Sequence, residues 1–339
     1  MSVSAAIFGL SGPKLTQGEA AFFRDCNPFG FILFARNIET PDQVRALTSD
    51  LRASVGRDCL IFIDQEGGRV QRLRPPHWRR YPSGADYTAI YKNDQKAAKR
   101  AVFLNHRLIA DDLRQLGITS DCTPVLDLPQ PGADPIISDR ALGHRPDMII
   151  DLAHPAMAGL MMGGVAPVIK HMPGHGRAEV DSHKALPMIT ADIFTLESSD
   201  FVPFRVFADA PMAMTAHAVY TTSSNVCVTV SRKAFVELIR AKIGYDGLVM
   251  SDDLDMKALS GTLTRKTERA LAAGCDIALQ CSGKFADMVK VAKGLKALSG
   301  RSLERAEIAE NCALHITEFD RKEAISEISY IMPQYGFLA

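Results

Sequence analysis

Short apolar runs rich in β-branched and aromatic residues recur along the chain at 4–10 (SAAIFGL), 30–36 (GFILFAR), 60–66 (LIFIDQE), 118–128 (ITSDCTPVLDL), 165–171 (VAPVIKH), 211–219 (PMAMTAHAV), 245–253 (YDGLVMSDD) and 275–281 (CDIALQC). Each has the length and bounding polar residues of a strand. Between them lie longer stretches with apolar positions at helical spacing, near 40–55, 95–116, 147–162, 192–209, 231–243 and 257–273, with further helices at 284–297 and 302–319. Thr40 precedes Pro41-Asp42-Gln43, a hydroxyl cap before a proline in the first turn, and Ser231 or Thr190 is placed to cap the next helical stretch. The strand runs do not alternate with polar residues, so they read as parallel strands covered by helices on both sides.

Eight strand–helix units without a break in composition predict a closed (β/α)₈ barrel, a TIM barrel of the α/β class, rather than an open doubly wound sheet. An open nucleotide-binding sheet often carries a glycine fingerprint after its first strand, and GLSGPK at 9–14 lacks it. The whole chain, 1–339, reads as one catalytic domain with a C-terminal tail at 320–339 that no pattern places. The proline- and arginine-rich excursion at 67–94 comes after the third strand and reads as an active-site loop.

Composition narrows the partners. Lys+Arg and Asp+Glu are equal at 39 each, so no global basic field exists to hold nucleic acid or an anionic membrane. The seven cysteines are scattered without a C-x-x-C pair, which fits a reducing compartment and implies neither a disulfide framework nor a zinc–cysteine site. No uninterrupted apolar run reaches the roughly 18 residues of a membrane helix, and no basic residue precedes the short apolar start. A cytoplasmic location is expected.

Polar residues then accumulate where barrel chemistry sits, at the C-terminal ends of the strands. The third run ends in Asp64-Gln65-Glu66-Gly67-Gly68-Arg69 with Arg72 beyond, and the fourth ends in Asp127 and leads to Asp139-Arg140. The fifth runs into Lys170-His171, the sixth carries His217, and the seventh ends in Ser251-Asp252-Asp253. All converge on one mouth. Pro173-Gly174 excludes a regular helix through His171 and His175, which disfavours a helical metal-binding pair. Asp181 and His183, two apart, project to the same side of an extended loop, where a carboxylate orients an imidazole for acid/base work.

Three separated segments carry a resemblance. IDQEGGRVQR (63–72), KHMPGHG (170–176) with DSH (181–183) and LP (186–187), and SDDLDM (251–256) together resemble glycoside hydrolase family 3, specifically its single-domain bacterial β-N-acetylhexosaminidases, over about residues 5–290. The resemblance implies a retaining, exo-acting hydrolase of terminal β-linked N-acetylglucosamine, acting on muropeptides during peptidoglycan recycling, with no cofactor and no metal. It further implies Asp252 as nucleophile, His183 as general acid/base with Asp181 as its partner, and sugar contacts from Asp64, Arg72, Arg140, Lys170 and His171. Retaining glycosidases commonly use two carboxyls, and here an Asp–His dyad takes the place of one. Gly174 and Gly176 at the base of the His183 loop suggest that it swings in after substrate binds, and Lys170, Arg72 and Arg140 are expected to keep Asp252 ionised. The chain departs from the family at Met172, where phenylalanine is usual, and after Arg140, where Ala141-Leu142 replaces an aromatic. The larger two-domain β-glucosidases of the family usually have tryptophan where Asp253 stands.

Plainer roles compete. Asp252 could cap a helix or pair with Lys257, His175 and His217 could be satisfied histidines lining the pocket, and Asp64–Arg72 could be a bracing ion pair. Asp127 and Glu66 carry no assignment, and HWRR at 77–80 reads as a solvated face, with Trp78 a candidate aglycone contact. Rival functions are a metal hydrolase built on His171, His175, His217 and Asp252, a Schiff-base lyase built on Lys170, and a silent sugar-binding protein. The substrate partner is a small carbohydrate; oligomeric state is not legible.

Overall fold

The computed structural model describes residues 2–336. All eight strand runs form strands of one sheet: β1 (Ser4–Gly9), β2 (Pro28–Leu33), β3 (Leu60–Ile63), β4 (Ser120–Asp121), β5 (Ala166–Met172), β6 (Met212–Thr215), β7 (Leu248–Met250) and β8 (Ala278–Gln280). They pair in parallel in the order β7-β6-β5-β4-β3-β2-β1-β8. A parallel bridge between Met250 and Ile277, with the Ser251 amide on the Ile277 carbonyl at 2.9 Å, joins β7 to β8 and brings the sheet around into a barrel. Every residue of β2 and of β5 is buried, as strands filled inside and covered by helices outside require.

β4 is the irregular strand. Its apolar run continues past Asp121, but Pro124 has no N–H to offer the ladder, so the chain runs beside β5 through a bridge of Val125 with Lys170 and the Leu126 amide on the Lys170 carbonyl at 2.7 Å. This holds Asp127 over the barrel mouth next to β5.

The helix pattern is broadly as read, with informative differences. Thr40 and Ser231 cap their helices, accepting from Gln43 and Ala234. The stretch 192–209 is two short helices, Ile193–Ser198 and Phe201–Val206, and the first is capped by Asp192 rather than Thr190. The break falls at Ser199, four residues before Pro203, which has no N–H to return to the Ser199 carbonyl, and the buried Asp200 beside it takes the Arg177 guanidinium at 2.7 Å. The helix expected from 257 begins at Leu263, because residues 254–261 serve as the loop after β7, and the last two expected helices shorten to Phe285–Ala292 and Gly300–Asn311.

Two helices absent from the pattern are signalled by capping boxes, Thr16 with Glu19 before Gln17–Cys26 and Ser83 with Asp86 before Gly84–Tyr91. The tail is also ordered through 336. Helix Arg321–Ile331 docks on helix Gln95–Arg114 through Arg321 to Asp111 and Asp112, at 2.7 and 2.6 Å, and through Glu327 to Arg100 at 2.7 Å. Tyr335 donates to Asp86 at 2.9 Å and its carbonyl receives Arg79 at 2.8 Å. HWRR is therefore not a solvated face throughout: Arg79 is buried, and Trp78 packs against the core outside the mouth. Residues 337–339 of the tail lie outside the described residues. Among the described residues no helix is long and apolar enough to cross a membrane.

Candidate active site

The end of β3 turns into a tight antiparallel hairpin, 65–67 with 70–71. Its turn needs glycine twice: Gly67 and Gly68 have φ of +94° and +57°, and a Cβ on Gly67 would collide with the Pro82 carbonyl oxygen. Gln65 organises the hairpin from within. Its amide donates to Asp121 at 2.8 Å, and its side-chain oxygen accepts the Arg72 and Leu73 amides at 2.9 and 3.0 Å. Arg72 is thereby aimed back at Asp64, 2.9 Å away. Burial pushes the Asp121 carboxyl up to about 8, so it is protonated at neutral pH.

Lys170 reaches the same place from β5. Successive strand residues point to opposite faces, yet Lys170 and His171 both line the cleft. The pairing explains this: Ile169 pairs with Ala213 and Met172 with Thr215, three steps on β5 against two on β6, so one extra residue bulges there and re-aims a side chain. The Lys170 ammonium, with its side chain 2% exposed, touches Asp64 at 2.9 Å and Glu66 at 2.6 Å. Arg140 grips Glu66 with two parallel bonds of 2.8 and 2.7 Å. Burial alone would raise the two carboxyls, but the cations overcome it, holding Asp64 well below its usual range and Glu66 at about 2. Lys170, pushed down by burial, is raised above its ordinary value by the same pairs. A Schiff-base lysine must lose its proton, so the lyase reading built on Lys170 fails.

Asp127 is the second organiser. It takes the His171 ring Nδ1 at 2.6 Å, the His171 amide at 3.2 Å and the His175 amide at 2.6 Å, fixing the imidazole and the chain just beyond it. His175 is buried with its ring 5.9 Å from that of His171, and burial lowers its pKa to about 4. His217 has one ring nitrogen on Thr229 at 2.9 Å and the other on the Asp253 carbonyl at 3.1 Å, so it is a satisfied structural histidine and offers no lone pair to a metal.

Asp252 stands at the end of β7. Its amide donates to Thr215 at 3.3 Å, and one carboxylate oxygen accepts the Asp253 amide at 2.8 Å. Burial opposes its ionisation, but His217, His171, that amide and His183 together hold its pKa below the ordinary value. The expectation that Lys170, Arg72 and Arg140 do this is corrected, because those cations are committed to Asp64 and Glu66. Asp253 is the structural member: one of its oxygens accepts the Asp255 and Cys281 amides at 3.0 and 3.1 Å, and burial raises its pKa to about 7. Asp252 makes no ion pair with Lys257 among the described residues, and Lys257 is exposed.

His183 rides the loop after β5. Asp181 accepts both the His183 amide and its ring Nδ1 at 2.8 Å, while the imidazole is 64% exposed and the carboxylate 12%. The glycines at the loop base are held by close packing and hydrogen bonds in this conformation. A Cβ on Gly176 would collide with the Leu128 carbonyl oxygen, Tyr220 clamps the Gly174 carbonyl at 2.6 Å, and the Asp134 amide binds the Ala178 carbonyl at 2.8 Å. Beyond the loop, Met188–Ile189 pairs with Val219–Tyr220. Both ends are fixed, which leaves residues 179–187 as the segment able to carry His183.

One cleft collects these groups: Asp64, Arg72, Arg140, Lys170, His171, His183 and Asp252 all line it, with Asp181 behind His183. Residues that the sequence left unassigned or unnoticed belong here too. Glu66 partners Lys170 and Arg140, Asp127 orients His171, and Phe34 at the end of β2 lines the cleft between the Arg36 and Arg72 guanidiniums, 4.9 and 5.2 Å from its ring centre. Phe34 had a signal, since it closes the second strand run where cleft residues belong.

The glycosyl hydrolase family 3 N-terminal domain matches residues 7–316. A β-hexosaminidase of Alkalilimnicola ehrlichii is 38% identical over 288 residues, 83% of this chain and 82% of that protein. The crystal structure of native NagZ from Neisseria gonorrhoeae superposes with a TM-score of 0.88 at 29% identity, covering 98% of each chain. The same protein in complex with N-trifluoroacetyl-D-glucosamine superposes with a TM-score of 0.87 at 29% identity and the same coverage.

Proposed function

The chain belongs to glycosyl hydrolase family 3, and on that premise we propose that it is a retaining β-N-acetylhexosaminidase that removes terminal non-reducing N-acetylglucosamine by double displacement. Asp252 attacks the anomeric carbon. His183, oriented by Asp181, gives a proton to the departing oxygen, and a covalent glycosyl–enzyme forms. His183 then takes a proton from water, which attacks the same carbon and frees Asp252. The observation that carries this is the pairing of an ionised Asp252, in no ion pair among the described residues, and an exposed imidazole held by Asp181 at the mouth of the same cleft.

Asp64, Arg72, Lys170 and His171 supply donors and acceptors for sugar hydroxyls, fixed in place by the network that binds them to one another. Arg140 has its fork on Glu66 and its third nitrogen 3.3 Å from the Ile136 carbonyl, so its part is to hold Glu66 and the cleft wall. The similarity to a protein solved with N-trifluoroacetyl-D-glucosamine supports an acetamido sugar in this cleft. In this account the substrates are muropeptides of peptidoglycan recycling and the enzyme works in the cytoplasm as a single catalytic domain without metal or cofactor.

Release of nitrophenol from 4-nitrophenyl N-acetyl-β-D-glucosaminide and from the corresponding β-glucoside, with and without EDTA, tests the proposal on wild type and Asp252→Ala. EDTA-insensitive turnover of the acetamido sugar that Asp252→Ala abolishes supports it. Loss of turnover with EDTA returns the metal hydrolase, and no turnover of either sugar returns the silent binder.

A further inference from the structure

The hairpin at 65–71 and the turn at 138–140 form one wall of the cleft. Glu66, Val70, Arg72 and Arg140 line its inner side. A second groove runs along the outer side, lined by Gly68, Arg74, Arg80, Ser83, Asp86 and Tyr335 among others, and Arg69 at the crest lines both.

The charges in this groove are unequal. Of its two carboxylates, Asp139 is taken by Arg69 at 2.7 Å, and Asp86 accepts the Ser83 amide and hydroxyl at 2.8 and 2.6 Å and the Tyr335 hydroxyl at 2.9 Å. Arg74 is held by the Gln71 carbonyl at 2.8 Å and the Arg69 carbonyl at 3.2 Å, contacts that orient its guanidinium without neutralising it. Arg80 is exposed and makes no ion pair among the described residues. Three guanidiniums thus face two carboxylates, and the carboxylates are already bonded within the wall.

We infer that this groove is a subsite for the anionic part of the aglycone, with Arg74 and Arg80 binding carboxylates of a leaving group that crosses the wall at Arg69. The inference rests on the glycosidase reading of the adjoining cleft. A sugar bound at Asp252 leaves its aglycone at the mouth, and the groove is the basic surface continuous with that mouth through Arg69. Guanidinium forks match planar carboxylates, and their exposure makes the interaction sensitive to salt. A neutral or very short aglycone stops short of the groove and does not sense it.

The test compares three substrates of the wild type, Arg80→Ala and Arg74→Ala/Arg80→Ala. They are 4-nitrophenyl N-acetyl-β-D-glucosaminide, N-acetylglucosaminyl-β-1,4-N-acetylmuramyl dipeptide with its peptide carboxyls free, and the same compound with those carboxyls amidated. The expected result is a KM for the free-carboxyl compound raised about threefold to tenfold in the double variant, the range for exposed charge pairs, with kcat unchanged. That rise shrinks in 0.5 M salt, and kinetics on the nitrophenyl glycoside and the amidated compound do not move. Equal kinetics for wild type and double variant on the free-carboxyl compound overturn the subsite, as does an equal loss on all three substrates. If the wild type turns over none of them, the glycosidase reading itself fails, which is a different outcome.

Discussion

Glu66→Gln removes one charge from the most heavily paired point of the cleft. Glu66 receives Arg140 through two bonds and Lys170 at 2.6 Å, with its own side chain 5% exposed. Its carboxyl is held at about 2 against an ordinary 4.5, and at about 1.4 kcal/mol per pH unit this corresponds to ~3 kcal/mol of stability at pH 7. The sign comes from the depressed pKa. The contribution is complete above pH 4.5 and is lost as pH falls through the value in the folded protein, so by pH 3.5 a part of it, on the order of 1 kcal/mol, has gone. Glutamine keeps the shape but leaves Lys170, Arg72 and Arg140 sharing the single charge of Asp64, and breaking a buried pair typically costs about 3–5 kcal/mol. Urea denaturation at pH 7 is therefore expected to show the variant about 3 kcal/mol less stable, with a gap narrower by on the order of 1 kcal/mol at pH 3.5. A gap under about 0.5 kcal/mol at pH 7, or one that does not change with pH, would refute the reasoning, since either means the network does not stabilise the ionised carboxyl.

Asp121→Asn should act in the opposite direction. A carboxyl raised to about 8 costs stability as pH climbs above its ordinary 3.8, and asparagine can still accept the Gln65 amide, so the variant should gain stability at pH 8 and lose that advantage by pH 4. A thermal melt series across that range decides it, and a variant less stable at pH 8 contradicts the assignment of a neutral Asp121. Asp181→Asn should lower kcat about a hundredfold to ten-thousandfold on an alkyl N-acetylglucosaminide, and by less on the nitrophenyl glycoside, whose leaving group needs little protonation. Equal loss on both would show that Asp181 does something other than support proton transfer by His183.

The eight strands were legible because each falls in a short run bounded by polar residues and followed by a helical stretch, although the fourth run yields only the two-residue Ser120–Asp121, and the polar residues at their ends marked the cleft. The features that were not legible depended on contacts remote in sequence. Glu66 and Asp127 look like ordinary carboxylates until the fold brings Arg140 and His171 to them, and the packing of Tyr220 and Leu128 against Gly174 and Gly176 is likewise invisible in the sequence. The break in the 192–209 helix, by contrast, had a local signal in Pro203, which has no N–H for the Ser199 carbonyl. The short helices at 17–26 and 84–91 carry capping boxes and the tail helix a cap in Asp320, local signals too short to have been read without the hydrophobic pattern behind them.

The role of Asp252 is tested most directly by trapping. Incubation with a 5-fluoro-N-acetylglucosaminyl donor, then peptide mass spectrometry, is predicted to find the sugar on a peptide containing Asp252, with no label in Asp252→Ala. An unlabelled enzyme that still turns the donor over would contradict a covalent Asp252 intermediate and assign the attack to the acetamido group of the substrate itself.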